Sequence, residues 1–155
     1  MYLSILGVIL FIAVILIAGM FQMKDSVKNL PMRKMEVRVG NVKIFADIAD
    51  NAILRTRGLS GRGLLPENSG MLFLFYKEDK YSFWMKEMNF PIDIIWIKNG
   101  EVLSIEKNAE PEPGVLFYNL QKYYPPEPVD TVLEINAGKA DEWGIKEGDK
   151  VSFEF

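Results

Sequence analysis

The stretch Ile92–Ile105, IDIIWIKNGEVLSI, decides the fold. Ile92–Ile97 reads as a strand, and Val102–Ile105 as its return. Between them sits Asn99-Gly100, the dipeptide best suited to the positive φ values of a type I′ hairpin turn. Residues 92, 94 and 96 take one face of the first strand, and 93, 95 and 97 the other. Both faces are apolar apart from Asp93, so the strand is buried on both sides and carries a carboxylate in with it.

Outward from this hairpin the pattern stays β. Upstream, Val42, Ile44, Ala46 and Ile48 line one face of a period-two run. Asp50 or Asn51 can cap a short helix over 52–57, with Gly58 in the position of a helix-ending glycine. Leu59 to Asn68 reads as an ordered glycine-containing loop, and Met71–Phe75 as a strand buried on both faces. Tyr81 to Lys86 alternates again, with Phe83 and Met85 on one side and Trp84 and Lys86 on the other. Downstream, Pro111 to Pro128 predicts a long exposed loop. Thr131–Ile135 and Lys150–Phe155 predict further strands, the latter with Val151, Phe153 and Phe155 inward, and one helical turn is expected over 139–143. Roughly six to eight short strands with few helical residues predict a mainly β domain, a sandwich or barrel, over 36–155.

Composition removes whole classes of chemistry. The chain has 155 residues, a net charge of −3, no cysteine and no histidine. Thiolate or imidazole metal sites, cysteine nucleophiles and histidine acid–base chemistry are therefore absent. The acidic balance argues against nucleic acid as a partner, and no cofactor is expected. Carboxylates, lysine, tyrosine and hydroxyls remain for any catalysis.

Residues 1–23 carry no charged side chain, and Tyr2 to Phe21 is a continuous apolar run. At 1.5 Å per residue, a helix of ~20 residues matches a ~30 Å hydrocarbon core. No basic segment precedes the run, which favours an uncleaved single transmembrane anchor over a signal peptide. Residues 24–35 read as a linker, with Pro31 keeping Leu30 out of helix. Lys24, Lys28, Arg33 and Lys34 follow the run, so the positive-inside rule places the domain in the cytoplasm.

Several motifs follow one another in order: Arg57-Gly58-Leu59-Ser60-Gly61-Arg62, Leu65-Pro66, Gly70–Phe75, Phe83-Trp84-Met85-Lys86, Pro91–Ile95 and Val132–Ile135 with Ala137-Gly138. Together they resemble the prokaryotic family known as domain of unknown function 192, over about Met35 to Phe155. The resemblance implies a compact, mainly β domain of jelly-roll-like character and no established activity. It also implies a domain outside the cytoplasmic membrane, against the charge argument. The family has Asn-Thr after Trp-Met-Lys, where this chain has Glu87-Met88.

The candidate ligand-binding residues are Arg57, Arg62, Trp84, Lys86, Asp93 and Glu134. A buried Asp93 needs a partner, and Arg57, Arg62 and Lys86 are the candidates. The arginines would clamp an anion or sugar, Trp84 or Trp96 would stack on it, and Asp93 would accept hydroxyls. The structural alternative, an ion pair pinning loop to sheet, is favoured because such networks imitate sites. Glu134 alternates away from the core and offers a second carboxylate. The leading expectation is a membrane-anchored binding or accessory module for a small polar or anionic ligand, a carbohydrate included. One alternative is a hydrolase or isomerase using carboxylate and lysine acid–base chemistry. Another is a protein-interaction domain acting through the proline-rich loop, with no particular protein partner named.

Overall fold

A computed structural model describes the backbone of residues 2–28 and 32–153, and the side chains of 7–20 and 32–153. The expected break at Leu30-Pro31 and the inward Phe155 lie outside these. The chain divides into two units, Met1–Pro31 and Met32–Phe155.

The first unit holds helix α1, Tyr2–Lys28, which runs through the expected start of the linker. Among the described residues no helix is long and apolar enough to cross a membrane, so the expected transmembrane helix is not supported by the structure. The described side chains of α1, from Gly7 to Met20, are all apolar and almost all exposed.

The second unit is built on one seven-stranded sheet: β1 Lys34–Val39, β2 Val42–Ala49, β3 Ser69–Asp79, β4 Ile92–Lys98, β5 Glu101–Ala109, β6 Val129–Asn136 and β7 Val151–Phe153. Their spatial order is β5-β4-β6-β3-β2-β1-β7. All neighbours are antiparallel except β2 and β3, which the short helix α2 (Ala52–Arg57) joins as a parallel pair. The sheet curls into a half-barrel, where the sequence predicts a sandwich or a barrel. Its edges meet at one corner: Glu101 bridges Lys150, and the amides of Val102 and Val151 donate to Asp149 O and Gly100 O at 2.9 and 2.8 Å. Period-two patterning states which residues share a face, but not how many sheets the strands form.

Local signals act as their chemistry requires. Asn99 and Gly100 take φ 51° and 72°, closing the β4–β5 hairpin. The Asn51 side chain accepts from Leu54 N–H at 3.0 Å and starts α2. Gly58, at φ 51°, ends it. Gly70 has a different reason to be glycine. A Cβ there would lie 2.8 Å from the carbonyl oxygen of Glu134 on the neighbouring strand.

Both faces of the sheet are packed. All seven strands send side chains into one cluster, among them Val37, Ile44, Leu72, Ile95, Val102, Leu133 and Val151, which fills the inside of the curl. The outer face carries a second cluster, with Met71, Phe73, Ile92, Ile94, Trp96 and Val132 covered by Leu54 of α2 and by Leu59, Leu65 and Met85 from loops. Each large side chain buried this way stabilises by ~1.5–3 kcal/mol. Tyr81 to Lys86 is not a full strand. It crosses the outer face irregularly, held by a two-bond bridge between Phe83 and Tyr123. Phe83 packs edge-on against Phe73 and Trp96, at ring separations of 4.9 and 5.4 Å. The prolines around it leave room for one short 3-10 turn, Phe117–Asn119. The last helix, α3, is Lys139–Glu142.

Candidate functional site

A cavity of about 180 Å³ opens on the outer face. Helix α2 supplies Arg55, Thr56 and Arg57 to its wall, and the turn after it supplies Leu59 and Ser60. Strand β3 contributes Phe73 and Phe75. The crossing segment contributes Tyr81, Ser82, Phe83 and Trp84, then Met88, and β6 contributes Glu134. Tyr81 stacks on Phe75 at 3.6 Å, and the Arg55 guanidinium lies over the same Phe75 ring at 5.2 Å, so these side chains are positioned by one another. Arg55 Nη1 also donates to Leu74 O at 3.0 Å.

Glu134 is the unusual member. It is only 6 % exposed, and its register neighbours are Met71 on β3 and Ile94 on β4. Among the described residues its Oε2 has no hydrogen-bond partner. Burial pushes this carboxyl up to about 8, against the opposing pull of the Arg62 charge. A buried group that cannot shed its charge into water keeps its proton instead. Glu134 does alternate away from the inner core, but the outer face is covered too, so it is buried.

Behind the cavity lies a small charge cluster. Arg62 Nη1 donates to Asp47 Oδ2 at 2.7 Å, Lys34 approaches the same carboxylate at 3.6 Å, and Met32 Sδ accepts from both Arg57 and Arg62. Burial and the neighbouring Arg62 lower the pKa of Arg57, while Asp47 pulls it back up. The loop carrying Arg62 is tied to the crossing segment. Ser60 Oγ donates to Lys86 O at 2.7 Å, and the Gly61 amide donates to Glu87 O at 2.8 Å.

Asp93 stands apart. It is fully buried on the inner face, and its partners are not Arg57, Arg62 or Lys86. Its two oxygens accept from the amides of Asn108 and Ala140, each at 3.0 Å. The reason is a bulge. Ile92 pairs with Ala109 and Ile94 with Glu106, so β5 carries one extra residue opposite Asp93. Asn108, at φ 54°, is turned so that its N–H needs an acceptor, and the same carboxylate receives the first turn of α3. Thus Arg57, Trp84 and Glu134 line one cavity, Arg62 sits behind it, Lys86 offers its carbonyl to Ser60, and Asp93 is on the opposite face. Sequence reasoning missed Arg55, Tyr81 and Met88 in the wall and Asp47 behind it. Asp47 was open to reading, since it alternates with Ala46 and Ile48 to the outer face.

A family model for domain of unknown function 192 (DUF192), described as "Uncharacterized ACR", matches residues 35–153. The chain belongs to this family. Two crystal structures resemble this DUF192 domain. One, from Sinorhizobium meliloti 1021 and described as a candidate transcription regulator, is 27 % identical with a TM-score of 0.72, covering 81 % of this chain and 97 % of its own. The other, a protein of unknown function from Novosphingobium aromaticivorans DSM 12444, is 32 % identical with a TM-score of 0.68, covering 78 % and 84 %. No curated protein matches the chain. The resemblance implies asparagine after Trp-Met-Lys. Here Glu87 occupies that position at φ 54°, a conformation that asparagine adopts more readily.

Proposed function

We propose that this DUF192 domain binds a small polar or anionic ligand in the outer-face cavity and is held at a membrane by α1. The observation that carries the reading is Glu134, a buried carboxyl whose Oε2 has no hydrogen-bond partner among the described residues, in a cavity walled by two arginines and five aromatic rings. Leaving such a group unsatisfied costs about 1–3 kcal/mol, and costs of that kind persist where function needs them. The volume, about 180 Å³, is below the ~300–1,000 Å³ of pockets for drug-sized molecules. It suits a single sugar ring or a short acid. Trp84, 38 % exposed at the rim, offers a stacking face.

The raised pKa of Glu134 also favours a second reading, in which it acts as a general acid. A glycosidase pair needs a second carboxylate across the bond, and Asp93 lies on the other face of the sheet. Binding is therefore the better supported reading. DNA binding, suggested by the description of the Sinorhizobium structure, is disfavoured by a sequence pI of about 5.1.

The membrane tether rests on the uncharged run from Tyr2 to Phe21 and on the exposed, all-apolar side chains of α1 from 7 to 20. A helix apolar on every side needs an apolar environment. We propose the outer side for the domain, as the family resemblance implies and against the positive-inside reading; protease added to intact cells would then reach it.

The test is a binding screen of monosaccharides, short acids and amides against the full chain in lipid nanodiscs, by calorimetry. Saturable binding is expected, and Ser82→Trp at the cavity wall should abolish it with Tm unchanged. If nothing binds, or the blocked variant binds equally well, the ligand-site reading is wrong.

A further inference from the structure

The outer-face cavity has a neighbour. A second, more open recess of about 450 Å³ adjoins it, with Tyr76 and Lys77 in its lining. Arg55, Thr56, Phe75 and Tyr81 belong to the walls of both. The stacked pair of Phe75 and Tyr81 stands between the two, with the Arg55 guanidinium over the Phe75 ring. Each recess also has an aromatic ring open to solvent. Trp84, 38 % exposed, lines the first, and Tyr76, 93 % exposed, lines the second.

The guanidiniums here are tied into the protein. Arg55 donates to Leu74 O, Arg57 donates to Met32 Sδ, and Arg62 holds Asp47. Their charge still repels a cation, while their engagement leaves little reason for an anion to enter. Lys77, in the second recess, is exposed, where solvent and salt screen its charge. The Glu134 carboxyl is the reverse case. It lines the first recess, and its Oε2 has no hydrogen-bond partner among the described residues. A ligand hydroxyl donates to an ionised carboxyl and accepts from a protonated one, so it suits Glu134 in either state.

We infer that the two recesses form one groove for a neutral oligosaccharide of two or three rings, the first ring beside Glu134 and Trp84 and the next over the Phe75–Tyr81 stack toward Tyr76. This rests on the first recess being a ligand site. The faces of sugar rings carry C–H groups, which pack on the negative face of an aromatic ring, while the hydroxyls at the ring edge reach polar groups. The first recess, at about 180 Å³, holds one ring, and the shared wall leads a longer chain out of it. Thr56, common to both walls, offers a hydroxyl where the chain crosses. A short acid would use the first recess alone and meet guanidiniums already held elsewhere.

The experiment is calorimetry on the full chain in nanodiscs, with ladders of one, two and three rings built from glucose, mannose and N-acetylglucosamine. In at least one ladder the affinity should rise about tenfold from the single ring to the longest chain, the worth of one further aromatic contact. Tyr76→Ala should remove most of that gain with Tm unchanged, since the side chain is exposed. Trp84→Ala should weaken single ring and chain alike. Uronic-acid chains of equal length should bind no tighter than neutral ones. An affinity that does not grow with length, or a gain that survives Tyr76→Ala, overturns the extended groove and leaves the single-ring site standing. Tighter binding of the uronic chains overturns the neutral assignment. Short acids or amides binding where no sugar binds overturns the sugar assignment, and the cavity remains a ligand site. Failure of every sugar, acid and amide overturns both.

Discussion

Replacing Glu134 with glutamine should stabilise this protein, and increasingly so as pH rises. The carboxyl titrates near 4.5 when unfolded and at about 8 when folded. Below pH 4.5 both states hold the proton, and the group exerts no pH-dependent effect. Between 4.5 and 8 the unfolded chain releases the proton while the fold retains it, so stability is lost as pH rises. Above 8 the loss is complete. Each pH unit of that window is worth ~1.4 kcal/mol, which gives a loss of about 3–4 kcal/mol between pH 5 and pH 8. Glutamine keeps the shape and cannot ionise. Its amide meets the same apolar neighbours, Met71 and Ile94, so at pH 5 the two proteins should differ little. Urea titration of both at pH 5, 6.5 and 8 isolates the effect, because every other titrating group cancels in the difference. Parallel stability–pH profiles would refute the reasoning and show that Glu134 is ionised or solvated in the fold.

Four other outcomes follow from the geometry. Asp93→Asn replaces one acceptor oxygen with an N–H donor facing an amide, and should cost about 2–4 kcal/mol in urea titration; an unchanged midpoint would mean the two amide bonds contribute little. Gly70→Ala forces a Cβ against Glu134 O and should lower stability by about 1–3 kcal/mol, seen as a drop in Tm. Glu87→Asn relieves a left-handed backbone and should raise stability by of order 1 kcal/mol. Arg62→Gln removes the charge that opposes protonation of Glu134, so the Glu134 midpoint followed by carboxyl carbon NMR should rise.

What the sequence disclosed, it disclosed through local chemistry. The Asn99-Gly100 turn, the Asn51 cap, the Gly58 stop and the alternation of β2 are each governed by a few adjacent residues. The sheet's unity, its curl and the parallel β2–β3 pair depend on contacts far apart in the chain, which no local rule specifies. The site shows the same division. The burial of Asp93 was legible from its apolar neighbours. Its partners were not, because they exist only once the Asn108 bulge and α3 have come together. Alternation put Glu134 on the correct face, but the cover over that face comes from α2 and from the segment around Phe83.

The pairing of β1 with β7 sets an order of events during synthesis. Val37 lies opposite Phe153, so one long side of β1 has no partner until β7 has left the ribosome. Until then β1 is an open template for any extended chain nearby. Strands β4 and β5 can zip as soon as their turn emerges, but the corner that joins Glu101 to Lys150 must wait for the same late segment. Closure of the half-barrel therefore waits on the last strand in chain order. Chains crowded together would be most prone to pair with each other in the interval before β7 arrives.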